Sequence, residues 1–322
     1  MEREAIREIS HRNHSIERLR QRLNGVIRGK TEQIEELLIA FIAGGSVLIQ
    51  DVPGVGKTTL AKTLAVSLDM RYRRVQCTPD LLPADILGGP VYDAQSSTFR
   101  LRRGPIFTNL LLVDEINRAS PRTQSALLEA MAERQVSLDG RRYRLPRPFL
   151  VIATQNPTGS HGTFPLPESQ LDRFMLQMSL EYPDREHEVD LLYDTTDGTI
   201  SAGHQELAPV LSISEVKAIQ AEVDAVHVDR RVAEYLVEIV RATRCDTRVR
   251  TGSSTRGTRM LFRAAQSAAL LANRQFVMPD DVQRVAPLVL AHRIVLRVTT
   301  HGSGQATREV IQRIISELAV PI

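Results

Sequence analysis

The stretch Val47-Leu-Ile-Gln-Asp51-Val-Pro53-Gly54-Val55-Gly56-Lys57-Thr58 decides how this chain reads. A short apolar run predicts a strand, a loop with two glycines follows, and Leu60-Ala61-Lys62-Thr63-Leu64-Ala65 continues as a helix. In a strand, glycine loop and helix of this kind, small residues let backbone N–H groups curl around phosphate oxygens, and the helix N-terminus adds positive potential. Pro53, Gly54, Val55, Gly56 and Thr59 would shape that cradle, Lys57 would reach the outer phosphates, and Thr58 would ligate Mg2+. Asp51 replaces the first glycine of the usual phosphate-loop pattern, and Asp tolerates unusual backbone angles better than most residues do. Taken alone, the stretch also reads as a plain glycine-rich turn.

A second motif narrows the choice. Leu110-Leu-Leu-Val113 predicts a buried strand that ends in Asp114-Glu115. Two adjacent acids at such an end cost free energy without a cation nearby. Beside magnesium-bound ATP they make chemical sense, with Asp114 holding Mg2+ through water and Glu115 orienting and polarising the attacking water. A surface turn with two acids is the alternative.

Phe149-Leu-Val-Ile-Ala-Thr154-Gln155-Asn156-Pro157 reads as a third strand ending in polar amides. Asn156 would place a neutral donor on the γ-phosphate or the water, although a simple strand-end turn also explains Asn-Pro. In Leu166-Pro-Glu-Ser-Gln-Leu-Asp172-Arg173-Phe174, the Arg173 guanidinium would neutralise charge on the transferred phosphoryl, supplied in cis or by an adjacent subunit. A surface salt bridge is the competing reading. Gly252-Ser-Ser254-Thr-Arg256 reads as loop, cap and first helical turn; if the helical domain closes over the nucleotide, Arg256 becomes a second phosphate sensor, with Arg259 and Arg263 competing for the role.

The bulk composition sets the frame. A chain of 322 residues has two domains as its prior. Aromatic content of 4% with no Trp argues against stacking platforms for single-stranded nucleic acid, and a net charge of +3 is far from a concentrated basic patch. Only four of the 41 basic residues are Lys (Lys30, Lys57, Lys62, Lys217), so a Lys at a motif's Lys position is less easily accidental. Cys77 and Cys245 lack metal or redox spacing, and no run approaches the ~18 apolar residues of a membrane span, so a cytoplasmic protein is expected.

Along the chain, residues 1–25 read as a polar helical extension, an appendage rather than core. Residues 26–190 alternate strand-like and helical segments, the pattern of a parallel α/β sheet covered on both faces. Residues 191–208 read as a linker, and residues 209–322 as a smaller all-helical domain with Ser214 and Asp229 at plausible caps. Two hairpins stand out in the α/β part, one around Asp139-Gly140 and one with its tip at 93–98.

Together these residues resemble the MoxR family of AAA+ ATPases. The resemblance covers roughly residues 25–320 and rests on the phosphate-loop stretch, Asp114-Glu-Ile-Asn-Arg-Ala119 with Gln124 to Met131, Ala153 to Pro157, Leu166 to Phe174, and Ala286 to Arg293. It implies a P-loop NTPase fold with a helical lid, a Walker A at Lys57 and Thr58, and a Walker B at Asp114 and Glu115. It further implies sensor 1 at Asn156, an arginine finger at Arg173, sensor 2 at Arg256, and tolerance of Asp51. The expected activity is hydrolysis of ATP with Mg2+ in a homo-oligomeric, hexameric ring that remodels a protein client, often one with a von Willebrand factor A-like domain. The two hairpins match the family's inserts, whose tips would face a central pore. A magnesium-chelatase-like motor and a DNA-remodelling ATPase are the alternatives; the low aromatic content argues against nucleic acid as partner.

Overall fold

The computed structural model describes residues 2–51, 54–95, 97–156, 162–194, 208–298 and 303–321. The first part contains α1 (Glu2–Val26), α2 (Thr31–Ile42), β1 (Val47–Gln50), α3 (Lys57–Ser67), β2 (Tyr72–Gln76) and α4 (Pro83–Leu87). The hairpin β3 (Gly88–Asp93) and β4 (Thr98–Arg103) follows, then β5 (Leu110–Asp114) and α5 (Pro121–Glu133). A second hairpin, β6 (Gln135–Leu138) and β7 (Arg141–Arg144), precedes β8 (Leu150–Gln155), α6 (Glu168–Leu171), β9 (Leu176–Met178) and α7 (Arg185–Asp194). Beyond residue 208 come α8 (Ile213–Glu222), α9 (Arg230–Cys245), β10 (Val249–Thr251), α10 (Thr255–Leu271), α11 (Pro279–Leu290), β11 (Val295–Leu296) and α12 (Ser303–Glu317).

Five strands pair in parallel in the order β2-β5-β8-β1-β9. The central ones are apolar throughout because both faces are covered: Leu110, Leu111, Leu112 and Val113 are all fully buried. One core layer joins α1, α2 and α3 to one sheet face; the other joins α4, α5 and the base of the second hairpin to the opposite face. The first layer continues without a break into α8 to α12, and Ser267 on α10 donates to the Ile39 carbonyl of α2 at 2.8 Å.

The amino-terminal helix is not an appendage. Ile16, Leu19, Leu23 and Ile27 are buried in the main core, and α1 packs on α2 and α3. Their spacing of three and four residues makes one apolar stripe, which the charges around it obscure in the sequence. Burying each such side chain contributes roughly 1.5–3 kcal/mol.

The second half departs from expectation in two details. It is not wholly helical, since β10 and β11 pair antiparallel. The cap of α8 is Ser212, not Ser214: Ser212 Oγ accepts from Glu215 N at 3.2 Å, and the Glu215 carboxylate accepts the Ser212 N–H at 2.7 Å. Asp229 does cap α9, accepting from Arg231 N at 2.8 Å. Most of the expected linker, 195–207, lies outside the described residues. Both expected hairpins form, with registers Val91↔Arg100 and Val136↔Tyr143.

Candidate functional site

The sheet's carboxyl edge carries the first site. β1 runs into the loop at residue 51, and α3 begins at Lys57 with Gly56 as its N-terminal cap residue. Gly54 and Gly56 adopt φ of +90° and +88°, a left-handed region that disfavours any side chain, although a Cβ would meet nothing closer than 3.9 Å at either. The helix start is uncapped by any side chain, so its N–H groups open onto a cavity of about 150 Å³. Lys57, Thr58, Asp114, Glu115, Thr154 and Asn156 line that cavity with Asp51, Gly54, Arg74 and Gln76. Two adjacent pairs far apart in sequence, Lys57-Thr58 and Asp114-Glu115, thus meet in one cleft. Val55 packs on the core, Thr59 sits in the first turn of α3, and Pro53 lies outside the described residues.

Lys57 Nζ donates to the Asp51 carbonyl at 3.0 Å. Burial pulls its ammonium below the ordinary value, and Asp51, Asp114 and Glu115 pull the other way. Asp51 has a physical reason other than backbone tolerance, for its φ is not positive. Its buried carboxylate accepts from Leu180 N at 2.6 Å and Glu181 N at 2.9 Å, tying the loop to the chain just past β9.

On β5, Asp114 Oδ2 accepts from Arg74 Nε at 2.5 Å, and Asp114 Oδ1 accepts from Thr154 Oγ1 at 3.3 Å. Thr154 Oγ1 in turn accepts the Glu115 N–H at 2.9 Å. Glu115 has φ +54°, a left-handed conformation that costs on the order of 1 kcal/mol in a non-glycine residue and turns the chain sharply off the strand. Its carboxylate accepts from Arg118 Nη1 at 3.0 Å. The Thr58 hydroxyl and the Asp114 carboxylate offer the hard oxygen donors that suit Mg2+, so the residues present fit that ion.

Arg173 and Arg256 lie elsewhere. Both line a second pocket, of about 720 Å³, together with Arg134, Arg259, Arg263 and Asp172. Gly44 to Ser46, Phe149 and Met175 line it too, and they precede β1, β8 and β9. It therefore opens at the amino edge of the sheet and shares no lining residue with the first cavity. At about 3.3 Å per residue, even four-residue β1 separates the two edges by about 13 Å. Arg173 Nη1 donates to the Leu128 carbonyl at 3.0 Å, while its buried Nε has no hydrogen-bond partner. Arg134 donates to the Gly44 carbonyl at 2.6 Å; burial and the neighbouring Arg147 and Arg263 pull its guanidinium below the usual value. Arg256 does cap-adjacent duty as expected, in the first turn behind Ser254, which accepts from Gly257 N. It does not close over the chain's own phosphate loop, because its Nη1 sits 3.6 Å from Asp172 Oδ2 at the other edge.

Comparison with known proteins adds the family. Residues 46–176 match the ATPase family associated with various cellular activities, and residues 241–314 match the AAA lid domain. The chain is 36% identical to Chaperone MoxR1 of Mycobacterium tuberculosis over 96% of this chain and 83% of that one. It is 30% identical to Protein MoxR of Methylorubrum extorquens over 94% of each. This chain belongs to the MoxR family of AAA+ ATPases. Its YeaC relative in Bacillus subtilis, of uncharacterised function, is 43% identical over 94% of this chain and 93% of that one. A candidate ATPase of Cytophaga hutchinsonii has a solved structure that superimposes with a TM-score of 0.89 at 34% identity, covering 99% of both chains.

Within this MoxR-family site, three lining residues escaped the sequence reading: Arg74, Gln76 and Thr154. The signal for the first two was the alternation in Tyr72-Arg-Arg-Val-Gln-Cys77, where Val75 and Cys77 are buried and Arg74 and Gln76 fall on the other face. Thr154 was legible only as part of an apolar strand. No helix among the described residues is long and apolar enough to cross a membrane.

Proposed function

We propose that this MoxR-family protein hydrolyses ATP to ADP and phosphate in a ring of identical subunits and uses the cycle to remodel a protein partner. One observation carries the ring. The residues suited to grip a triphosphate lie at one sheet edge, and the two arginines suited to complete it lie at the other. A head-to-tail interface repeats that relationship around a closed ring, bringing one subunit's Arg173 and Arg256 to the next subunit's cleft. Six subunits is the family's expectation and our reading.

In this reading the N–H groups from Gly54 to Thr59 and the Lys57 ammonium bind the phosphates, and Thr58 and Asp114 hold Mg2+. Bound there, the ion supplies charge neutralisation on the phosphate oxygens. Glu115 takes the proton of the attacking water and Thr154 fixes its backbone by the bond described above. Asn156 donates to the γ-phosphate or the water. Arg173 and Arg256 from the neighbour stabilise charge on the transferred phosphoryl. Residues 26–190 serve as the catalytic core and 209–322 as the lid.

The chaperone name of the mycobacterial relative supports a protein client. So do the hairpins: Tyr92 and Phe99 are exposed near the first tip with ring centroids 5.3 Å apart, beside Arg100 and Arg102. A von Willebrand factor A-like domain is the partner class we favour. The test is ATP turnover per subunit across a dilution series with Arg173→Ala alongside. Turnover should fall on dilution, and Arg173→Ala should bind ATP normally yet hydrolyse it poorly. Turnover independent of concentration, together with normal hydrolysis by Arg173→Ala, would overturn the ring reading.

A further inference from the structure

Arg293 follows α11 at the end of a short 3-10 turn, and its side chain is 0% exposed. It crosses from the helical half of the molecule to the segment that carries Arg173. Its Nε donates to Asp172 Oδ1 at 3.0 Å, Nη2 to the Asp172 carbonyl at 3.2 Å, and Nη1 to the Met175 carbonyl at 3.1 Å. Nη2 also donates to the Phe174 carbonyl. The fork thus grips the backbone on both sides of Arg173.

Asp172 holds the other arginine. Ser254 Oγ donates to both of its carboxylate oxygens, at 3.1 and 3.0 Å, and Ser254 is the cap of the helix whose first turn carries Arg256. Arg256 itself stands 3.6 Å from the same carboxylate. Gly257 makes room for this crossing: a Cβ there would lie 2.2 Å from Ser253 Oγ and 3.0 Å from Arg293 Cδ. Burial lowers the Arg293 pKa to about 10 while Asp172 pulls it back up, so the guanidinium keeps its charge at neutral pH. A buried ion pair of this kind is a poor way to add stability, because desolvation offsets its attraction. It is a good way to fix direction, since a planar fork meets its acceptors at set angles.

We propose that Asp172 and Arg293 are positioning residues that lock Arg173 and Arg256 into one rigid pair, so that both guanidiniums meet the neighbouring subunit's phosphates together. The inference rests on the reading of those two arginines as acting across the interface. It makes the lid and the finger segment a single body: a subunit cannot move its lid without moving the finger it presents to its neighbour.

The test is complementation between subunits. Asp172→Asn keeps the shape of the side chain and an acceptor for Ser254 but loses the charge. It should bind a fluorescent ATP analogue within about twofold of the parent protein and lose about 10–100-fold in kcat, with KM little changed. Lys57→Ala is inactive for the opposite reason, since it lacks its own phosphate grip but presents intact arginines. Mixed in equal amounts, the two inactive proteins should regain activity at about a quarter of their interfaces, as should the control mixture of Arg173→Ala with Lys57→Ala. Should Asp172→Asn fail to fold, Arg293→Lys, which keeps the charge and loses the fork, takes its place with the same expected pattern. Wild-type kcat in the folded variant, loss of its own ATP binding, or failure to be restored where Arg173→Ala is restored would overturn the proposal. If Arg173→Ala is not restored either, the reading of the arginines across the interface falls first and takes this proposal with it.

Discussion

Arg74 Nε stands 2.5 Å from Asp114 Oδ2, reaching from β2 to the end of the neighbouring strand. The Asp114 carboxylate is buried, whereas the Arg74 side chain is half exposed. The guanidinium therefore occupies the carboxylate that would face Mg2+, and cation and arginine compete for it. An exposed partner limits the pair to about 1 kcal/mol. Arg74→Gln should lower the Mg2+ concentration for half-maximal binding of a fluorescent ATP analogue by about 3–10-fold. An unchanged or raised midpoint would show that Arg74 does not compete.

Asp51 makes an unusual first residue for a phosphate loop, and two backbone N–H groups explain it. Restoring the pattern's glycine with Asp51→Gly removes the acceptor for Leu180 and Glu181, two bonds to a charged group. The variant should lose about 2–3 kcal/mol of stability without nucleotide, measured by denaturant unfolding. A neutral or stabilising effect would mean that the position serves only the loop's backbone angle.

Glu36 on α2 is pushed up to about 7 from 4.5, chiefly by burial; Arg308 and Arg284 oppose the shift, and Glu32 and Glu181 add to it. A carboxyl with a raised folded-state pKa holds its proton more tightly when folded, so its contribution to stability is present below about pH 4.5 and is lost as pH rises through about 7. At pH 8 the charged form costs on the order of 1–3 kcal/mol. Glu36→Gln should be more stable than the parent by that order at pH 8 and nearly equal to it at about pH 4, by chemical unfolding. Parallel pH profiles would remove Glu36 as the cause.

The sequence was legible where local chemistry and burial agree. The run Leu110 to Val113 and the glycine loop before Lys57 could be read because a strand buried on both faces must be apolar throughout and a left-handed loop needs glycine. β2 was missed because Arg73 and Arg74 break the apolar run, and of the two only Arg74 lines the cleft. β9 is three residues long, too short to show a period. The stripe of Ile16, Leu19 and Leu23 was discounted because the charges of α1 outnumber it. The location of Arg173 and Arg256 was not readable at all: which sheet edge a loop reaches depends on how the whole chain winds, and neither arginine's neighbours in sequence encode it.

The most direct test of the central claim, that Lys57, Thr58, Asp114 and Glu115 form one ATP-hydrolysing cleft, is paired measurement of ATP binding and phosphate release for Glu115→Gln. The substitution keeps the side chain's size and removes the base. Glu115→Gln should bind Mg·ATP at least as tightly as the parent, with turnover reduced by about 10²–10⁴-fold. Phosphate release at the parent's rate by Glu115→Gln would contradict it.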